Sequence, residues 1–521
     1  MDITLINTPQ FSTGFQVTDG VVPPIGLLYI SSLLKKNNFG INLIDGLGEK
    51  PFQYYEYNKS TYRGLSPNEI IERIPHDTKI IGITCMFSII HSLVMDLCNL
   101  IKKEYPDSIV VLGGAHVTAL PEYILKNDSV DFICLGESEF TFLKLCEALK
   151  ENKYSKENSE IKNINGVGYK IGSEVIVNKN IELLKDIDCL PYPDWDSIPM
   201  ENYFSSKAGH GCLKYDKWTI MLFSRGCPYN CSFCTTPKIW KREWRSRDPK
   251  RVVDEIRYLQ EKFGIKEIHF EDDNMNTSIG KLNEFCDELI RQGIKINWQT
   301  SSGIRPHGMS NEIISKMVRA GCTNITLAPE SGSKRVLDKV INKSLDLTEI
   351  LSAAKSAHKS KLKVGAYFIM GLPGERISDL IRTIRFLMKL AMVGVDECVV
   401  SMFAPLPGSK LFDQLCAEGK IKVGEDFFES LVAMTDISKV KSWSEFISDR
   451  DLKIFQFMGF LLFHVTKSIF HPFKTLRSIF NIISGRQELK TERFILLKVR
   501  RIKNFFSFSK SPKYVAGGKL K

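Results

Sequence analysis

The chain has 521 residues, 43% hydrophobic and 25% charged, a globular balance that excludes collagen-like, low-complexity and largely disordered classes and has room for about three domains. Its net charge of +11 is concentrated at one end: Thr466 to Lys521 holds 14 Lys/Arg and 2 Asp/Glu, a net of +12, while the other 465 residues sum to −1. A neutral body with a basic tail excludes a protein whose whole surface embraces nucleic acid, and no nucleic-acid partner is expected.

Met1-Asp2-Ile3 opens with an acid instead of a basic leader, and the longest late uncharged apolar stretch, Ile454 to Thr466, is shorter than the ~20 residues of a spanning helix. The expectation is a cytoplasmic chain. Its 13 cysteines then read as free thiols or metal ligands and not as a disulfide framework.

Residues 1–150 alternate strands (Ile3–Asn7, Ile41–Ile44, Ile80–Thr84, Ile109–Leu112, Phe132–Leu135) with helical patterns (Gly26–Lys36, Pro67–Ile74, Ile89–Lys103, Pro121–Lys126, Glu139–Lys150). The strands are apolar runs with little alternation, as strands buried on both faces require. Five such units predict a doubly wound, flavodoxin-like (Rossmann-like) α/β sheet. In residues 151–212, Gly166–Lys170 and Glu174–Val177 flank Ile171-Gly172-Ser173 as a hairpin, and Leu190-Pro191-Tyr192-Pro193-Asp194 reads as an extended linker.

Residues 213–440 return to β/α alternation, with strands at Thr219–Phe223, Glu267–Phe270, Ile296–Thr300, Asn324–Leu327, Lys363–Phe368 and Glu397–Met402. Six units predict a partial (β/α)6 TIM-like barrel whose active face lies at the carboxyl ends of the strands. Residues 441–521 form a helical, basic, aromatic-rich tail. Within it, Ile469, Phe473, Leu476 and Phe480 trace one helix face, with Lys474 and Arg477 among them. That pattern fits a membrane-surface helix, and equally a face packed on the barrel with solvated lysines. Asn504 to Lys521 is expected to be disordered.

The sharpest motif is Ser224-Arg225-Gly226-Cys227-Pro228-Tyr229-Asn230-Cys231-Ser232-Phe233-Cys234, directly after a strand. Three thiols at spacings of four and three residues, with no fourth following, suit an iron–sulfur cluster left with one open iron. The rival is structural zinc, completed by His210 and Cys212, although zinc ligands usually come as two compact pairs. The other nine cysteines sit in scattered apolar contexts, where a free thiol behaves as a small hydrophobe.

Cys227-x3-Cys231-x2-Cys234, with Phe233 before the last cysteine, resembles the signature of the radical SAM superfamily. The resemblance implies a [4Fe-4S] cluster on Cys227, Cys231 and Cys234, with S-adenosylmethionine (SAM) chelating the open iron and cleaved reductively to a 5′-deoxyadenosyl radical. It also implies an external electron donor of flavodoxin or ferredoxin type. Glu271-Asp272-Asp273-Asn274, after the second strand of this half, resembles the family segment that contacts the SAM amino group. Pro329-Glu330-Ser331-Gly332 resembles the segment that meets the ribose, and Met370-Gly371-Leu372-Pro373-Gly374-Glu375 and Ser401 to Gly408 resemble the fifth- and sixth-strand loops. The implied cofactor residues are Glu271, Asp272, Asp273, Glu330, Ser331 and Gly371. Arg305, after the third strand, either faces an anionic ligand or serves as a surface ion-pair partner.

The first half resembles the cobalamin-binding domain fused ahead of radical SAM cores, through Pro23-Pro24-Ile25-Gly26-Leu27, the strand ending at Asp45, Gly113-Gly114-Ala115-His116-Val117-Thr118 and Gly136-Glu137. No G-x-G-x-x-G opens the first helix, so a dinucleotide is not expected. The D-x-H-x-x-G motif whose His ligates cobalt in cobalamin mutases is also absent. Cobalamin is the implied cofactor, with Thr84, Ser88, Gly113, Gly114, His116, Gly136 and Glu137 at the strand ends that would face it.

The expected function is a cobalamin-dependent radical SAM enzyme acting on a small-molecule substrate, either by methyl transfer to an unactivated carbon or by a cyclisation or rearrangement. The apolar tail points to a hydrophobic substrate or a membrane-held partner. One alternative is a radical SAM methylthiotransferase acting on tRNA or protein, which would carry a second cluster on N-terminal cysteines. The other is a non-catalytic corrinoid- or cluster-binding sensor.

Overall fold

The computed structural model describes residues 1–12, 20–58, 60–156, 160–434, 436, 439–496 and 499, so the expectation for Asn504 to Lys521 lies outside the described residues. The strands in chain order are β1 (Ile3–Asn7), β2 (Gln10–Ser12), β3 (Ile41–Asp45), β4 (Tyr54–Tyr57), β5 (Ser60–Arg63), β6 (Ile80–Thr84), β7 (Ile109–Gly113), β8 (Phe132–Cys134), β9 (Val167–Ile171), β10 (Glu174–Val177), β11 (Trp218–Met221), β12 (Ser224–Arg225), β13 (Arg245–Ser246), β14 (Glu267–Phe270), β15 (Asn297–Ile304), β16 (Cys322–Glu330), β17 (Lys363–Met370) and β18 (Glu397–Met402). They make a mixed α/β protein built on two largely parallel sheets.

The first sheet runs β10-β9-β8-β7-β6-β1-β3, parallel from β8 to β3, with the β9–β10 hairpin added antiparallel at its edge. Alternate residues of its central strands enter two separate cores. Ile6, Ile81, Ile83, Val110 and Leu112 pack with Leu93, Leu97 and Ile101 of helix His91–Glu104. Ile3, Leu5, Ile80, Ile109 and Val111 pack with helices Ile25–Lys36 and Glu139–Glu151. Burial on both faces explains why these strands read as unbroken apolar runs. A three-stranded antiparallel sheet, β2-β5-β4, lies beside it and was absent from the sequence reading.

The second sheet runs β11-β14-β15-β16-β17-β18, all parallel. Ile268, Phe270, Trp298, Ile325, Val364, Ala366 and Phe368 belong to its helix-packed core. The intervening residues are polar and meet two covering segments. Gln299 donates to the Cys212 carbonyl (2.7 Å), Lys490 donates to the Ser301 carbonyl (3.2 Å), and Arg493 donates to the Gly211 carbonyl (2.9 Å).

The tail corrects one expectation. Ile469 and Phe473 do not share a helix: one helix, Asp449–Phe470, stops at His471, and Pro472 opens a second, Pro472–Ser484. The first packs on helix Ile377–Met392 and buries Leu452, Gly459 and Phe463. Two of the tail's cations make ion pairs: Lys474 with Asp396 (2.8 Å) and Arg477, itself 66% exposed, with Glu488 (2.8 Å). Ile469, Phe470, Phe473, Leu476, Ile479, Phe480 and Ile483 stay exposed. Among the described residues no helix is long and apolar enough to cross a membrane.

Candidate functional site

The cysteine loop is held at its base by the second strand of its own sheet. Asp272 accepts from the Phe223 amide (3.1 Å), the Ser224 hydroxyl (2.6 Å) and the Ser224 amide. Asp273 accepts from the Gly226 amide (3.0 Å) and the Thr236 hydroxyl (3.2 Å). Gly226 has φ +83°, and a Cβ there would stand 2.0 Å from the Glu243 carbonyl oxygen, so only glycine lets β12 and β13 close around the loop. The far side is pinned by Ser232, whose amide donates to the Ile341 carbonyl (2.8 Å) and whose carbonyl accepts from the Leu411 amide (2.9 Å).

Cys227, Cys231 and Cys234 are half-buried on this loop, whereas Cys85, Cys98, Cys134, Cys146, Cys212, Cys286, Cys322 and Cys398 are buried. Burial raises the Cys227 thiol and pushes Cys234 up to about 11, so metal loading has to displace protons. Among the described residues no three His, Cys, Asp or Glu side chains converge on one metal ion. His210 instead bonds Glu271, and Cys212 lies buried beneath Gln299, so the zinc set is not assembled. Three half-buried thiols on one pinned loop fit a cluster, in which each thiolate meets a different iron.

Arg305, left undecided by sequence, belongs to this loop. Its Nη2 lies 4.0 Å from the Cys231 sulfur and donates to the Lys343 carbonyl (2.7 Å), and its guanidinium carbon sits 3.3 Å from the Tyr229 ring centroid.

The predicted SAM-side residues separate. Glu271 holds His210 Nδ1 (3.0 Å) and the Ser302 hydroxyl (2.9 Å) on Oε2, while its buried Oε1 has no partner among the described residues. Burial works to raise its pKa, but His210, by charge and hydrogen bond, lowers it below the usual range. An ionised carboxylate with one free oxygen fits an ammonium group. Asp272, pushed up to about 7 by burial, has both oxygens on the cysteine loop, so it holds that loop and does not face a ligand. Asp273, its pKa also raised by burial, holds the loop too. Glu330, at φ +63°, bonds Lys343 (2.7 Å), and Ser331 bonds the Thr383 hydroxyl (3.2 Å). Gly371 is packed closely. Its amide donates to Glu375 (2.7 Å), its carbonyl accepts from the Trp443 amide (3.1 Å), and a Cβ would stand 2.7 Å from Leu452.

At the carboxyl end of the first sheet, Thr84 pairs with Gly113 in register, and Gly114 (φ +118°) passes so close to Cys85 that a Cβ would stand 2.6 Å from its carbonyl oxygen. Met86 and Phe87 are exposed beside them, an apolar shelf that fits a flat macrocycle and that sequence reasoning missed. His116 is 2% exposed, its Nδ1 bonds the Ser88 hydroxyl (2.8 Å) and its Nε2 bonds His91 Nδ1 (3.0 Å). Burial lowers His116 to about 3 and His91 to about 4, so the pair is neutral and both His116 nitrogens are engaged within the protein. Phe428, from helix Glu425–Ser430, closes over both rings at 5.1 and 4.8 Å.

Gly136 (φ +65°) lies under Ile181, and Glu137 turns to the arginines of β12 and β13. Glu137 pairs with Arg225 (2.7 Å) and Arg245 (2.6 Å), and Arg225 also meets Glu139 (2.8 Å). Nearby, a Cβ on Gly408 would stand 3.2 Å from that of Ala119. The strand-end loops of the two sheets therefore face each other around the cysteine loop.

Residues 221–387 match the Radical SAM superfamily, and residues 13–145 match the B12 binding domain. The chain is 29% identical over 80% of its length to an uncharacterized methyltransferase of Pyrococcus horikoshii, covering 83% of that protein. It is 27% identical over 78% of its length to the anaerobic magnesium-protoporphyrin IX monomethyl ester cyclase of Cereibacter sphaeroides, covering 62% of that protein. Among solved structures, the radical S-adenosylmethionine methyltransferase TsrM of Kitasatospora setae, with cobalamin and a [4Fe-4S] cluster bound, superposes with a TM-score of 0.63 at 15% identity. That match covers 80% of this chain and 78% of the other, a likeness of fold.

Proposed function

From the premise that the chain is a radical SAM enzyme with a B12 binding domain, using a [4Fe-4S] cluster, SAM and cobalamin, we propose that it transfers a methyl group to an unactivated carbon of a small molecule. The observation that carries this reading is the facing of the two strand-end surfaces across the cysteine loop, with Arg225 of that loop held by Glu137 of the first sheet. A substrate between them would be within reach of both cofactors. The parallel orders β3-β1-β6-β7-β8 and β11-β14-β15-β16-β17-β18 support a doubly wound sheet followed by a six-stranded partial barrel. We divide the chain at 1–150, 151–212, 213–440 and 441–521.

When bound, the cluster and SAM supply a carbon radical and cobalamin a transferable methyl group; the protein orients them and excludes water. Cys227, Cys231 and Cys234 would hold the cluster. The free Oε1 of Glu271 would accept from the SAM ammonium, and Arg305 would face the anionic side of the same ligand. Asp272 and Asp273 hold the loop that carries the thiols. Thr84, Gly113 and Gly114, with Met86 and Phe87, would form the corrin shelf. Electrons would come from an external one-electron donor of flavodoxin or ferredoxin type.

The test is product analysis after anaerobic reconstitution. Methyl transfer from SAM leaves S-adenosylhomocysteine alongside 5′-deoxyadenosine, whereas ring closure leaves 5′-deoxyadenosine alone. The cyclase reading is second, supported by the relative of that name. A methylthiotransferase would need open N-terminal thiols, but Cys85, Cys98, Cys134 and Cys146 are buried.

The reading extends to the tail. Phe457, Phe460, Ile469, Phe473, Phe480 and Ile483 are exposed on helices Asp449–Phe470 and Pro472–Ser484, within a region whose sequence from Thr466 carries +12. An anionic lipid surface complements that charge and would cover those side chains, bringing a hydrophobic substrate to the enzyme.

A further inference from the structure

We propose that Glu137 is a positioning residue through which occupancy of the N-terminal corrinoid site changes the environment of the cluster on Cys227, Cys231 and Cys234. The proposal rests on the cofactor assignment above. Glu137 is 1% exposed at its side chain and uses both oxygens: Oε1 on Arg225 of the cysteine loop at 2.7 Å and Oε2 on Arg245 of β13 at 2.6 Å. Arg225 and Arg245 stand opposite each other in the β12–β13 pair, the clamp that encloses the cysteine loop, and Arg225 precedes Cys227 by two residues. Arg225 is held further by Glu139 (2.8 Å) and by the Tyr29 ring, 5.0 Å away.

The other end of the relay lies at the strand ends of the first sheet. The Gly136 amide donates to the Thr118 hydroxyl (2.9 Å), which donates to the Gly114 carbonyl (3.0 Å). A ligand seated on Gly113-Gly114 thus borders a bonded chain that runs through Thr118, Gly136 and Glu137 to Arg225. Three features keep the relay from dissipating a displacement. All of its charged groups are at most a tenth exposed, so water does not screen them. Glu137 also accepts from the Leu184 amide (2.8 Å), which fixes its orientation. Arg245 has two further nitrogens, Nε and Nη2, buried without partners among the described residues, so Glu137 is its one carboxylate there. A buried cation that loses its one carboxylate has no solvent to replace it.

The experiment uses the full chain, reconstituted anaerobically with iron and sulfide, with and without hydroxocobalamin. It reads two quantities: the electron paramagnetic resonance spectrum of the reduced cluster, and the rate of iron loss to a chelator. In the wild type, bound corrinoid shifts the spectrum and slows iron loss about fivefold or more, the low end of coupling between linked sites. In Glu137→Gln, which keeps the shape and the acceptor for Leu184, corrinoid still binds by absorption but neither readout responds. Glu137→Asp restores part of the response. Should Glu137→Gln not fold by circular dichroism, Glu139→Gln removes the second carboxylate on Arg225 and weakens the response. The proposal is overturned if Glu137→Gln responds like the wild type, or if wild type with corrinoid bound shows no response. A wild type that takes up no corrinoid at all overturns the cofactor assignment itself, and the absorption spectrum separates that outcome from loss of coupling alone.

Discussion

Arg305 Nη2 stands 4.0 Å from the Cys231 sulfur while its guanidinium carbon lies 3.3 Å from the ring centroid of Tyr229 on the same loop. This puts a permanent cation beside a site where negative charge collects when thiolates and a carboxylate ligand assemble. Arg305→Ala is expected to weaken SAM binding about ten- to a hundredfold, the cost of one charge-assisted hydrogen bond. Arg305→Lys is expected to recover little, because an ammonium cannot both stack on Tyr229 and reach the sulfur. Titrating SAM against the reduced cluster's paramagnetic signal measures this. Unchanged affinity in Arg305→Ala would return Arg305 to a packing role.

Gly226 is held at φ +83° under the Glu243 carbonyl. Gly226→Ala is expected to force β12 and β13 apart and to lower iron content after reconstitution to a small fraction of wild type. The backbone strain, of order 1–3 kcal/mol, falls on the cysteine loop and not on the core. Iron analysis next to the melting curve of the apoprotein separates the two. Full iron loading would mean that the clamp is not needed.

The cysteine triplet was legible because its meaning lies in covalent spacing: three thiols within eight residues stay together however the chain folds. The parallel strands were legible because burial on both faces leaves an apolar run. What escaped was set by tertiary partners. His116 follows a glycine pair at a strand end, as a ligand would, yet Ser88, His91 and Phe428, distant in sequence, enclose both its nitrogens. Asp272 and Glu271 are neighbours just past one strand end, yet one turns to the cysteine loop and the other to His210. The β4–β5 pair did carry a signal, since Tyr55, Tyr57 and Tyr62 alternate with polar residues in β-forming stretches.

Glu375 gives the fold a pH dependence. Burial pushes its carboxyl up to about 8, against the partial offset of amides from Gly371 and Leu372. Its folded pKa lies above its unfolded value, so the folded state binds more protons between about pH 4.5 and 8. Stability should therefore fall as pH rises through that window, by at most about 1.4 kcal/mol per pH unit from this group. Glu375→Gln keeps an acceptor for both amides and removes that contribution. Denaturant unfolding at pH 5.5 and 8 should show a smaller difference in the variant. An equal difference would reassign the effect.

The exposed tail residues predict lipid binding. Wild type is expected to sediment with phosphatidylglycerol vesicles, weakly with phosphatidylcholine, and to be released by salt. Phe473→Ser combined with Ile483→Ser, at positions 83% and 80% exposed, should reduce sedimentation without lowering the melting temperature. Concentration-dependent dimerisation that the same pair abolishes, with no vesicle binding, would assign the face to a second copy of the chain.

The account stands on a cluster held by three protein thiolates with one iron open. Iron and sulfide analysis of the reconstituted chain, with the paramagnetic spectrum recorded before and after adding SAM, tests it most directly. The prediction is about four irons per chain in one cluster, a spectrum that changes with SAM, and loss of cluster and of 5′-deoxyadenosine formation in Cys231→Ala. A spectrum indifferent to SAM, or a Cys231→Ala variant that still forms 5′-deoxyadenosine, would contradict it.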